Sequence, residues 1–231
     1  MKLGNRKMPI VFQQDRKRNK QRSWSSKVLL VEGPDDCHVI ASLSQAHSIP
    51  DIFDICDCGG SPEVIKQLNA LIAQSDPPKI IGIVIDADDP SLEQKWTSIR
   101  DKLRNNHGYQ LPIKPAIEGT LVKGSGDLPD LGFWLMPNNQ VTGKLESFCA
   151  ELADPASLAF SKHCVAAAQG QNLTTFKPVD LEKAIIHTYL AWQDEPGYPL
   201  GKAITAQSLR PETPIAREFT NWLTRLFVTN S

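Results

Sequence analysis

From residue 27 onward, short apolar runs alternate with stretches whose apolar positions recur every three or four residues. "KVLLVEG" is an apolar run closed by Glu32 and Gly33. The segment after it, "PDDCHVIASLSQAH", opens with Pro34, which suits a first helical turn, and with Asp35 and Asp36, which suit the positive end of the helix dipole. Val39, Ile40 and Leu43 then fall on one helical face. "DIFDICDC" predicts a second strand, ended by Gly59-Gly60. Ser61-Pro62-Glu63 opens a second helix with Val64, Ile65, Leu68, Leu71 and Ile72 on its apolar side, and Pro77-Pro78 closes it. "KIIGIVIDAD" is the third strand, and "SLEQKWTSIRDKLRNN" is the third helix, carrying Leu92, Trp96, Ile99 and Leu103. These strands are too uniformly apolar for either side to face water. The chain therefore predicts an α/β fold, a parallel sheet with helices on both faces.

Beyond Pro112 the pattern loosens. A Gly/Pro-rich stretch contains "LGFWLMP" as a further strand, followed by a helix around "GKLESFCAELA". "DLEKAIIHTYLAWQ" and "PIAREFTNWLTRLF" predict two amphipathic helices joined by a linker, to pack on the sheet or on a partner. This gives three regions: a basic arm over 1–26, an α/β domain over 27–155 and a C-terminal helical extension over 156–231.

Composition narrows the class. The chain has 231 residues, 41% of them hydrophobic, enough for a sizeable core. No apolar run approaches the roughly 18 residues that span a bilayer, and the N-terminus lacks the apolar region of a signal peptide. A cytoplasmic protein is expected. The five cysteines contain no C-x-x-C pair, so buried reduced thiols are expected rather than a zinc site. The formal net charge of -1 hides an asymmetry: nine Lys/Arg against the one acid Asp15 lie within residues 1–27. Arg16, Lys17 and Arg18 in "DRKRNKQR" are the candidates there for phosphate-backbone contact, although no aromatic residues interleave to stack bases.

Candidate chemistry gathers at strand ends. Glu32 closes the first strand, and Asp86, Asp88 and Asp89 follow the third. In parallel α/β sheets ligands collect at the carboxyl ends of strands. Asp36 lies one helical turn beyond Glu32, and Asp88 shares a side with Asp86 if the chain stays extended. A D-x-D after a strand is by itself an ordinary turn signal, and "VEGPDD" by itself an acidic helix start. Together they bring to one rim carboxylates that would repel one another and force protons on, a conflict that a divalent cation removes. Mg²⁺ suits such a site, because it takes oxygen ligands and keeps waters for a phosphate substrate.

"VLLVEGPDD" followed, after one intervening strand, by "IGIVIDADD" resembles the Toprim domain of topoisomerases, DnaG-type primases, RecR proteins and OLD-family nucleases. The resemblance implies a Rossmann-like fold. It gives Glu32 a role in acid/base chemistry or metal binding, and it makes Asp86 and Asp88 ligands of Mg²⁺ or Mn²⁺. Asp36 matches a second acid of OLD-type nucleases, and Glu146 in "GKLESF" is the counterpart of a later one. The whole chain is also similar to small stand-alone bacterial Toprim proteins.

A type IA topoisomerase needs strand-gate domains and a nucleophilic tyrosine, and a DnaG-type primase usually brings a zinc module. What the resemblance leaves is a nuclease of genome defence or DNA repair, acting on DNA more readily than RNA. The alternative is a silent module that binds nucleic acid or a partner protein. An ATPase partner is expected from the nuclease relatives, since the chain has no Walker A sequence. Self-association stays open. A cation near the scissile phosphate is expected; Lys144 and Lys123 are candidates, although each reads more readily as a surface lysine, and His38 and His163 read as ordinary helix residues. A haloacid-dehalogenase-like phosphatase places its D-x-D after the first strand rather than the third. For a receiver-like domain, the later Thr/Ser and Lys cannot be assigned.

Overall fold

The computed structural model describes residues 25–229. Among these residues five strands are formed: β1 (Lys27–Val31), β2 (Asp54–Asp57), β3 (Ile80–Asp86), β4 (Thr120–Val122) and β5 (Asp130–Met136). Eight helices follow or separate them: α1 (Pro34–Ala46), α2 (Ser61–Ile72), α3 (Leu92–His107), α4 (Leu145–Ala150), α5 (Pro155–Gly170), α6 (Leu181–Leu190), α7 (Leu200–Thr205) and α8 (Pro214–Phe227). The sheet order is β2-β1-β3-β5-β4, with only β4 antiparallel to its neighbour. The protein is a mixed α/β fold of the Rossmann-like kind with added C-terminal helices.

The chain leaves β1 for β2 on one side and reaches β3 on the other. The order therefore reverses between β1 and β3, and such a switch point opens a crevice at the carboxyl ends of the two strands.

Alternation along each strand sorts the core into two layers. Val28 and Leu30 of β1, Ile81, Ile83 and Ile85 of β3, and Leu131, Phe133 and Leu135 of β5 face α2 and α3. Leu29, Val31, Val84, Trp134 and Met136 face the other way, into a layer that includes α1, α4, α6, α7 and α8. The amphipathic C-terminal helix is thus part of the fold. Phe219 meets Trp134 edge-on at 5.2 Å between centroids, and Phe227 stacks on Phe53 at 4.2 Å. Gly82 and Gly132 are register partners on β3 and β5, and both face α8. A Cβ on Gly132 would stand 2.5 Å from Leu226 Cδ2, and one on Gly82 would stand 2.9 Å from Phe227 Cζ. The paired glycines form the notch that seats the end of α8.

One continuous hydrophobic layer joins Trp134 and Phe148 to Phe219, Trp222 and Phe227. The bounds of several elements differ from those expected. Helix α2 stops at Ile72 with Ala73 as its cap, so Pro77-Pro78 lies in the loop beyond it. Strand β2 is shorter than "DIFDICDC". Helix α5 carries no strong apolar stripe, with Ser161 and Val165 its buried residues, and just before its start the Asp154 side chain accepts the Ser157 amide at 3.0 Å as its cap. Helix α7 lies within the expected linker. Its Gly201 packs so closely on α1 that a Cβ there would stand 2.6 Å from the His38 carbonyl oxygen. Among the described residues no helix is long and apolar enough to cross a membrane.

Candidate functional site

Glu32 stands just past β1, and its backbone is gripped from β2. Gly59 and Gly60, at φ 86° and 123°, turn two successive amides onto the Glu32 carbonyl at 2.9 and 2.8 Å. These conformations are open to glycine and strained for other residues. Gly60 then caps α2, and the Ser61 hydroxyl at its start hydrogen-bonds the Glu32 carboxylate. On the other side, the Asp86 amide donates to Glu32 Oε1 at 2.9 Å, which joins the ends of β1 and β3 directly.

Asp86 is held in turn from a third element. Its Oδ1 accepts the Leu145 amide at 3.0 Å, so the start of α4 meets the end of β3. The Ala87 amide donates to the Gly143 carbonyl at 2.8 Å, which ties the chain after β3 to the same segment. Asp36 lies in the first turn of α1, is only 7% exposed, and accepts the Gly33 amide on Oδ2 at 3.1 Å. Glu32, Asp36 and Asp86 therefore each have one carboxylate oxygen on a backbone amide.

The electrostatics follow from burial and crowding. Burial, and then the Glu32 charge, push Asp86 up to about 8, with Asp36, Asp88 and Glu146 adding to the effect. Burial and then Glu32 push Asp36 up to about 7, with Glu146 again contributing. Glu32 itself is raised chiefly by burial, opposed by the Asp86 amide and the Lys95 ammonium. Of the five acids singled out in the sequence, Glu32, Asp36, Asp88 and Glu146 all act on the fifth, Asp86. Strand β3 ends at Asp86, yet Asp88 beyond it still acts on both Glu32 and Asp86.

As a test of fit to a divalent cation, the donor set is all oxygen, crowded and partly protonated, which is the chemistry a hard cation satisfies. Among the described residues, however, no three His, Cys, Asp or Glu side chains stand close enough to form a ready-made coordination sphere.

The expected cations lie elsewhere. Lys123 pairs with Asp130 at 2.6 Å, at the opposite end of β5 from Asp86. Lys144 has its ammonium on the Val179 carbonyl at 2.6 Å. Arg16, Lys17 and Arg18 lie outside the described residues. The cation beside the acids is Lys95, whose Nζ is 3.3 Å from Ser61 Oγ. The sequence signal for it was its place in the first turn of the helix after the D-x-D; for Ser61 it was its place directly after Gly59-Gly60.

Other titratable side chains sit in local surroundings of their own. His163 stacks on Phe160 in α5. Tyr109 and Tyr189 hydroxyls donate to the Pro129 and Ser208 carbonyls, and that of Tyr198 to Glu195. All five cysteines are free, and burial, then the charge of Asp36, push the Cys37 thiol up to about 12.

Over residues 26–228 the sequence matches the family described as protein of unknown function, DUF3226. The chain belongs to that family. No curated protein matches it, and no solved structure does. The DUF3226 match covers α8 as well as the sheet, in keeping with the continuous core beneath both.

Proposed function

We propose that this DUF3226 protein is a divalent-metal-dependent phosphodiester hydrolase of nucleic acid, with Mg²⁺ or Mn²⁺ as cofactor, built on a Toprim-like arrangement of acids. The observation that carries the reading is the junction of Glu32 with Asp86 across the β1/β3 switch point. Asp36, Asp88 and Glu146 act electrostatically on this pair, and Lys95 sits beside it.

Glu32, Asp86 and Asp88 would hold the cation, which would supply positive charge against a phosphate oxygen and a water. The chain's own residues orient and titrate. The Leu145 amide fixes the Asp86 carboxylate, and the Asp86 amide fixes that of Glu32. Asp36, pushed up to about 7, is suited to hold or release a proton near neutral pH. Lys95 is placed to attract the substrate phosphate toward Ser61 and Glu32. Five free thiols favour a reducing compartment, and the cytoplasm belongs to the same proposal.

The test is cleavage of supercoiled and linear duplex DNA, single-stranded DNA and RNA, with Mg²⁺, Mn²⁺ or EDTA. Wild type is compared with Asp86→Ala and Glu32→Gln. Metal-dependent cleavage lost in both variants supports the hydrolase. Metal binding without cleavage, lost in Asp86→Ala, assigns a binding module instead.

A further inference from the structure

On the face of the sheet covered by α2 and α3, a groove of about 590 Å³ runs between those two helices. Ser61, Ile65 and Lys66 line it from α2, and Lys95, Ile99 and Lys102 from α3. Ser61 and Ile65, and likewise Lys95 and Ile99, are one helical turn apart, so each row faces the gap. Lys95 and Lys102 are two turns apart, which spreads positive charge over about 10 Å of the groove.

The acids of the site do not line the groove themselves, but two of its lining residues, Lys95 and Ser61, connect it to Glu32. Lys95 touches Ser61, and Ser61 touches Glu32. Its floor is aliphatic, with Ile85 and Ile99 buried and Ile65 half-buried. Asp89 is the one acid in its lining, against Lys66, Lys95 and Lys102. Among the described residues Lys66 pairs with Glu63, an exposed neighbour one turn away at 3.3 Å, a contact of small worth in water. Lys102 is exposed and makes no ion pair among the described residues. An aliphatic floor between cationic walls suits a ligand that is flat and apolar in one part and anionic in another. Its volume is that of an ordinary small-ligand site.

We infer that the α2–α3 groove seats the stretch of nucleic-acid strand next to the phosphodiester under attack. One backbone phosphate lies against Lys66 and another against Lys102, and a base or sugar lies over Ile65 and Ile99. The inference rests on the hydrolase reading for its choice of polymer. Binding at the groove itself needs no metal and no turnover.

The experiment is fluorescence anisotropy with a labelled single-stranded oligonucleotide of about 12 nucleotides, within the range of site sizes for such strands. It is run in EDTA at several salt concentrations on the full chain. Wild type, Lys66→Gln/Lys102→Gln and Asp86→Ala are compared, with circular dichroism confirming the fold of each. The double variant is expected to bind about tenfold more weakly at low salt, with a salt slope shallower by about 1.4, the loss of two single-strand phosphate contacts. Asp86→Ala is expected to bind at least as tightly as wild type. Unchanged affinity and slope in the double variant overturn the inference, as does a wild type that binds no strand. Displacement of the strand by an equal concentration of AMP overturns it in favour of a free nucleotide. If the strand binds through these lysines but nothing is cleaved in Mg²⁺ or Mn²⁺, the hydrolase reading fails and the groove stands. Normal cleavage with unchanged binding in the double variant gives the reverse.

Discussion

The amide of Asp86 lies 2.9 Å from the carboxylate of Glu32, a contact across 54 positions of chain that closes the switch point between β1 and β3. It also concentrates negative charge. Asp86 itself accepts the Leu145 amide, so the acids are fixed in place whether or not their repulsion is relieved.

Stability without metal should therefore fall as pH rises. Asp36 and Asp86 are pushed up to about 7 and about 8, against about 3.9 for an unfolded aspartate. Between those limits the folded chain binds more protons than the unfolded one. Their stabilising contribution is complete below about pH 4 and is lost as pH climbs through 7 and 8. In EDTA the melting temperature at pH 8.5 should be at least about 3 °C below that at pH 6, the scale of a 1 kcal/mol change for a chain of this size. Asp86→Asn should flatten the slope. Equal melting temperatures for wild type at the two pH values would show that the acids do not confront one another.

Adding Mg²⁺ or Mn²⁺ should reverse that loss. A ligand that binds only the folded state stabilises it by about 2.7 kcal/mol at a hundredfold excess over its dissociation constant. The gain should be larger at pH 8 than at pH 6, because Asp86 must lose its proton to serve. Calorimetry in buffers of different ionisation enthalpy should register proton release on binding at pH 7. Binding that leaves the buffer's protonation unchanged would contradict the raised Asp36 and Asp86.

The notch under α8 makes a packing prediction. Gly132→Ala brings a methyl against Leu226 and should cost about 1–3 kcal/mol in urea unfolding. Leu226→Ala alone should cost about 2–5 kcal/mol. The double variant should be less destabilised than the sum, because the truncated leucine makes room for the new methyl. Strict additivity would mean that the two residues do not share a site.

Sequence pattern reaches some of this arrangement and stops short of the rest for physical reasons. The alternation of "KVLLV" and "IIGIVID" carries both faces of the sheet, and acids set directly after such runs mark the rim. The contact between Glu32 and Asp86 is not local. It depends on β1 pairing with β3 in the register Leu30 to Ile83, which neither strand encodes alone. Ser61 and Lys95 reach the acids only because α2 and α3 begin at the same rim, and a lysine in an amphipathic helix looks like any solvated lysine. Helix α5 escapes the pattern because so little of it is buried, and α7 because six residues make too short a period.

Lys95 gives the most direct test of the site's electrostatics. Its ammonium favours the ionised form of Glu32, opposing burial and the charge of Asp88. Lys95→Met should raise the Glu32 pKa further, since only the stabilising charge is removed. Ionised Glu32 is the form that holds a cation or accepts a proton. The acid limb of Mn²⁺ affinity against pH should therefore move to higher pH in the variant, while affinity at pH 9 changes little. Lys95→Arg should restore the wild-type limb in part, because charge is kept while the reach to Ser61 differs. If Lys95→Met weakens affinity equally at every pH, Lys95 acts on the fold of α3 and not on Glu32.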